Sequence, residues 1–214
     1  MEVPTTVPTS TIIPTPTTSK KLIYIENLSF SAQAPFGDWK DPLQQDGCEE
    51  ASAIVAVSWA MDKKFTKTEA LEMIKKISAY EVENYGQARD TSAFDTHKRI
   101  IKGYFEYENS RVEEVLTADQ IVSRLSQGNL VIVPANGQEL HNPFFTAPGP
   151  DRHMLVIRGY DFEKKEFITN EVGTRQGENY RYTKDILFSA IRDYPTGDHL
   201  PIINSSKKAI LVWK

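Results

Sequence analysis

A single cysteine, Cys48, follows Gly47 at the end of a loop and opens the segment CEEASAIVAVSWAM, in which Ala51, Ile54, Val55 and Trp59 recur at helical spacing. A thiol at the start of a helix meets the positive end of the helix dipole, which lowers its pKa and favours the nucleophilic thiolate. Glu49 and Glu50 lie in the same turn and oppose that effect, so an ion pair needs a histidine partner. His153 is the candidate. It begins the apolar run HMLVIRGYD, behind the Pro- and Gly-containing loop NPFFTAPGPDR. A base at a strand mouth combines reach into a cleft with rigid support behind it, as general-base chemistry requires. A third group should orient the imidazole and fix its tautomer. The run EFITNEV follows across the turn DFEKK and brings Asn170 and Glu171 towards the histidine. Successive strand residues face opposite sides, so only one of the two can be the partner, and the register decides which.

These residues need a scaffold. LIYIENLSF alternates as a strand does, and SAQAPFGDWKDPLQQDG, rich in Pro, Gly and Asp, reads as a long loop. Beyond the Cys48 helix, TKTEALEMIKKISAYE is amphipathic with Thr66 or Thr68 as N-cap, and TSAFDTHKRIIKGYF is a third helix. TADQIVSRLSQG is a short helix ended by Gly128. NLVIVPA, HMLVIRGYD, KEFITNEV and KAILVWK are short and rich in branched apolar residues, as strands are, with the helix TKDILFSAIRDY between the last two. GTRQGENYRY has two glycines but no phosphate-loop or dinucleotide spacing and reads as a strand connection. Helices first and an antiparallel sheet later predict an α+β fold.

The 214 residues suit one domain plus a tail, with residues 1–20 as a Thr/Pro-rich disordered tether and 21–214 as the folded domain. Each proline in the tether removes a backbone donor and fixes φ, which favours extended geometry. Such a stretch suits either a spacer between an upstream membrane anchor and an outward-facing domain or a tail without consequence. A secreted or cell-envelope location is the expectation. No secretory signal and no membrane span are visible. Twenty-five basic residues against 29 acidic ones give a net charge of -4, which argues against nucleic-acid binding. One cysteine excludes an intramolecular disulfide and a multi-cysteine zinc site. His141 and His199, with Cys48 and His153, make only a nominal metal set without short-range ligand spacing, so no metal and no cofactor are expected. Trp39, Phe36, Phe144 and Phe145 lie in the loops flanking Cys48 and His153 and are candidate substrate walls.

The combination SAQAPFGDW, GCEEAS, GPDRHMLVIRGYD and FITNEVGTRQGENYRY resembles the bacterial peptidase-like proteins related to bacteriocin-processing peptidases, family thirty-nine of the cysteine peptidases. The resemblance runs from about Leu22 to the C-terminus. It implies a papain-like fold, with Cys48 as nucleophile and His153 as base. It also implies an oxyanion-hole glutamine before the cysteine, for which Gln33 fits the flank while Gln44 and Gln45 compete. Such an amide donates to the developing oxyanion beside the Cys48 backbone N–H, and one such donor contributes about 3–4 kcal/mol. Where the family commonly reads Asn-Asp-Pro-Gly, this chain has Asn170-Glu171-Val172-Gly173. The expected activity is hydrolysis of a peptide or protein substrate by a monomer through an acyl-enzyme. The alternatives are another acyl transfer (cell-wall amide hydrolysis or a transglutaminase-like exchange) and an inactive binding module. The leader-peptide specificity of the family's transporter-fused members does not transfer, because no transporter is present.

Overall fold

The computed structural model describes residues 21–203 and 205–214; the tether assigned to residues 1–20 lies outside the described residues. The chain runs β1 (Leu22–Tyr24), α1 (Pro42–Gln45), α2 (Cys48–Ala60), α3 (Lys67–Tyr85) and α4 (Ala93–Asp95), the last continuing into a π-helical stretch, Thr96–Tyr104. Then come β2 (Ser110–Glu114), α5 (Ala118–Ser126), β3 (Leu130–Ala135), β4 (His153–Asp161), β5 (Glu166–Asn170), β6 (Glu178–Thr183), α6 (Lys184–Ala190) and β7 (Lys208–Val212).

The strands form one antiparallel sheet in the order β2-β7-β3-β4-β5-β6, with β1 paired to the far end of β4. Alternation along β3 and β4 feeds two cores. Leu130, Ile132, Met154 and Val156 face α2, α3 and the π-helical stretch, where Ile54, Ile74, Ile77 and Ile100 meet them. Val131, Val133, Leu155 and Ile157 face α5 and α6, against Ile121, Leu125 and Leu187. Both faces of these strands are therefore covered, which is why they read as unbroken apolar runs. Every residue of α2 is buried, so Cys48 begins a helix that runs through the core rather than over it.

Local signals explain most boundaries. Thr66 caps α3 in a reciprocal box with Glu69, and Thr117 does the same for α5 with Gln120. The expected strand LIYIENLSF is cut to three residues, because Asn27 takes a left-handed conformation and turns the chain away. Two strands escape the sequence reading. β2 (SRVEE) and β6 (ENYRYT) are edge strands, each paired on one side only, and their mostly polar composition hides them. GTRQGENYRY is thus corrected from a connection to a turn followed by β6. No helix among the described residues is long and apolar enough to cross a membrane.

Between α2 and α3 lie carboxyls with no cation bonded to them. Glu50 accepts from Ser78 Oγ at 2.9 Å, and neither oxygen of the fully buried Glu81 has a partner among the described residues. Burial, and after it the charge of Glu49, raises the Glu81 pKa from the ordinary 4.5 to about 8. A raised carboxyl favours the folded state while it is protonated. That contribution is complete below the unfolded value near 4.5 and is lost as pH rises towards 8. Glu81→Gln is therefore expected to flatten the fall in stability across this window, in which one such group contributes about 1.4 kcal/mol per pH unit. Denaturant midpoints measured at intervals from acidic to mildly alkaline pH check it; equal slopes for variant and parent would contradict the assignment.

Candidate active site

The loop before α2 is closed by α1, which Asp41 caps by accepting from the Leu43 N–H at 3.1 Å. Gly47 then leads into Cys48, the first residue of α2, whose backbone N–H has no intrahelical acceptor. The thiol is almost wholly buried and donates to Glu49 Oε2 at 3.0 Å. The other oxygen of Glu49 accepts from Tyr194 Oη at 2.8 Å. Burial raises the thiol pKa well above its ordinary value, the neighbouring Glu49 charge and hydrogen bond and then the Glu50 charge raise it further, and a bond from the Met154 backbone opposes them. These influences favour the neutral thiol over the thiolate. Burial raises Glu49 as well, against the bonds from Cys48 and Tyr194.

His153 opens β4, next in the chain to the residue that bonds the thiol, and it lines the same cleft as Cys48. Its Nε2 lies 2.5 Å from Glu171 Oε1. A carboxylate accepting at Nε2 places the hydrogen there and leaves Nδ1 as the free basic nitrogen. Glu171 is itself fixed: Oε1 also accepts from the Gly173 N–H at 2.8 Å, and Oε2 accepts from Tyr182 Oη at 2.9 Å. Asn142 Nδ2 donates to that tyrosine oxygen at 2.7 Å, which completes a line from Asn142 through Tyr182 and Glu171 to the imidazole. Phe145 meets the ring edge-on, centroids 5.3 Å apart.

The register separates the two residues that the sequence left open. Asn170 pairs with Val156, and its Oδ1 lies 3.5 Å from Arg158 Nη1; Nδ2 has no partner among the described residues. Asn170 is thus corrected: it faces away from the imidazole, and its neighbour Glu171 makes the contact. Two glycines allow this. A Cβ on Gly173 would lie 2.8 Å from both His153 Cε1 and Phe145 Cε1, and one on Gly177 would overlap the Glu171 carbonyl. In the sequence Gly177 reads only as part of a connection, and Gly173 only as the end of Asn170-Glu171-Val172-Gly173. Tyr182, Asn142 and Tyr194 also went unread, because bonds spanning 11, 40 and 145 residues leave no local trace.

Gln33 lines the cleft, but its Nε2 donates to the carbonyls of Gln44 (3.0 Å) and Gln45 (2.6 Å), so both amide hydrogens are engaged. Gln44 is turned aside and donates to Asp41 Oδ2 at 2.7 Å, whereas Gln45 lines the cleft. The cleft encloses about 720 Å³. Trp39, Phe144 and Phe145 wall it; Phe36 does not line it. His199 reaches the rim, where Nδ1 lies 2.9 Å from Asp90 Oδ2, and His141 is outside. Among the described residues no group of three His, Cys, Asp or Glu is arranged to hold a metal ion.

Cys48, on a core helix, and the carboxylate-held His153, on the antiparallel sheet, line one cleft, and the Peptidase_C39-like family model matches residues 25–194. The chain belongs to this family. The fold of the family is papain-like, and the chain has a cysteine-peptidase-type architecture. The crystal structure of a Bacillus anthracis protein assigned as a C39-like peptidase superposes with a TM-score of 0.58 at 14% identity, over 91% of this chain and 98% of that one. At that identity the likeness concerns the fold alone. The peptidase domain of Streptococcus ComA, a bi-functional ABC transporter involved in quorum sensing, aligns with a TM-score of 0.46 at 9% identity, over 79% of this chain and 93% of that one. No curated protein sequence matches.

Two outcomes are expected. Glu49→Gln removes a charge and an acceptor that raise the thiol pKa, so the midpoint of Cys48 alkylation by iodoacetamide should move to lower pH. An unchanged or higher midpoint would remove Glu49 from the account. Gly173→Ala should displace the imidazole and abolish the far-downfield proton resonance that a 2.5 Å His153–Glu171 bond gives. The same resonance in both proteins would show that the close approach is dispensable.

Proposed function

We propose that this protein is a cysteine peptidase in which Cys48 is the nucleophile, His153 the general base and acid, and Glu171 the residue that positions the imidazole. The observation that carries this reading is the 2.5 Å bond from His153 Nε2 to Glu171, at the cleft that Cys48 also lines. Nδ1 takes the thiol proton as the sulfur attacks the carbonyl carbon, and the imidazolium is stabilised by Glu171. The Cys48 backbone N–H at the start of α2 faces the developing oxyanion. Gln33 joins it by exchanging one of its two carbonyl acceptors. His153 then protonates the leaving amine, and water, deprotonated by the same nitrogen, releases the acyl group and restores the thiol. A peptide is the substrate that an open, part-aromatic, part-polar cleft suits.

A second reading is favoured by particular observations: the thiol is buried and engaged by Glu49, and Gln33 is committed to carbonyls. Both suit an inactive binding module. The two readings separate on cleavage of a proteome-derived peptide mixture followed by mass spectrometry. Under the peptidase reading Cys48→Ala abolishes cleavage and His153→Ala lowers it by about 10²–10⁴-fold. Gln33→Ala lowers it by about 10²–10³-fold if its amide contributes an oxyanion bond. Cleavage that persists in Cys48→Ala, or an absence of cleavage by the parent protein, would reject the peptidase reading.

A further inference from the structure

The charges lining the cleft are nearly all neutralised by partners. Asp46 lies 3.0 Å from Arg89, Asp90 lies 3.5 Å from Arg152 and 2.9 Å from His199, and Asp151 lies 2.8 Å from Arg192 and 3.2 Å from Arg152. Arg175 is different. It lines the cleft, and among the described residues it is the arginine with neither a hydrogen bond nor an ion pair. Its side chain is exposed, and its guanidinium lies over Gly37: a Cβ at that position would lie 3.3 Å from Arg175 Cζ. Gly37, with φ +83°, ends the turn Ala34–Gly37 that follows Gln33, and its N–H donates to the Ala34 carbonyl. Arg175 follows Gly173, the residue against His153, by two positions. The cation therefore bridges the loop that carries the oxyanion candidate and the β5–β6 loop that carries Glu171, the partner of the base. Trp39 and Phe144, 40% and 48% exposed, line the same cleft.

We infer that Arg175 selects the substrate by binding a carboxylate on the peptide, next to an apolar or aromatic side chain received by Trp39 and Phe144. A guanidinium with all donors free offers a two-pronged bond to one carboxylate, and its place on the cleft wall lets it meet a chain lying there. The carboxylate is either an acidic side chain or the chain terminus, since both present the same planar anion. The inference rests on the peptidase reading for its biological setting, but the binding itself does not.

Three peptides carrying an N-terminal iodoacetyl group separate the cases by their rates of Cys48 alkylation: Gly-Gly-Glu amide, Gly-Gly-Gln amide, and Gly-Gly-Gln with a free terminus. One of the two anionic probes should react about five-fold faster than the neutral one. Which of them does so identifies the source of the carboxylate. Arg175→Gln should erase the preference, Arg175→Lys retain part of it, and Arg175→Glu reverse it. Equal rates for all three probes, or a preference that survives Arg175→Gln, would overturn the inference. The acetyl versions of the peptides, titrated into Cys48→Ala and followed by NMR shifts, read binding without the thiol. An inert thiol with Arg175-dependent binding would refute hydrolysis and keep this inference; a reactive thiol with no dependence on Arg175 would do the opposite.

Discussion

The site depends on one buried carboxylate. Glu171 is fully inaccessible, and a charge so placed costs several kcal/mol unless donors surround it. It has three: the His153 ring, the Tyr182 hydroxyl and the Gly173 amide. Much of the surrounding irregularity serves this one group. The β5–β6 register shifts between Thr169 and Asn170, just where the chain must turn Glu171 towards β4. Gly177 leaves room for the Glu171 carbonyl, and its own carbonyl accepts from the Glu171 N–H at 2.9 Å. Asn142 comes from the loop before β4 to fix the hydroxyl of Tyr182. A glutamate in place of the family's usual aspartate has one more methylene to place, and here it still makes a short bond to the ring.

The thiol and the imidazole are managed by different parts of the fold. His153 is held by the sheet through Glu171 and Tyr182, whereas Cys48 is held by Glu49 of its own helix, which Tyr194 from the segment before β7 supports, and by the Met154 backbone of β4. In the proposed mechanism the thiol hydrogen must leave an acceptor on α2, Glu49, for one on β4, His153. A substrate that fills the cleft and displaces water alters the surroundings of both at once.

The parts of the fold that were legible in the sequence are those whose physics is local. β3, β4 and β7 are covered on both faces and so read as apolar runs, and the capping boxes at Thr66 and Thr117 announce their helices. Cys48 and His153 stood out because a thiol before a buried helix and a histidine at a strand mouth are visible over a few residues. The choice between Asn170 and Glu171 was not legible, because it turns on a register shift that the partner strand imposes. That strand, β6, is an edge with polar residues at most positions, so its tyrosine at 182 could not be placed. Gln33 came from family likeness alone, and nothing nearby in sequence shows that its amide is bound to the carbonyls of Gln44 and Gln45.

The contact between Cys48 and Glu49 also bears on chemical durability. Peroxides and other oxidants attack sulfur as its anion, and damage begins with the sulfenic acid. A thiol that is largely buried and donates to a carboxylate offers those reagents little to attack. The same placement would thus protect the chain's one cysteine from oxidation.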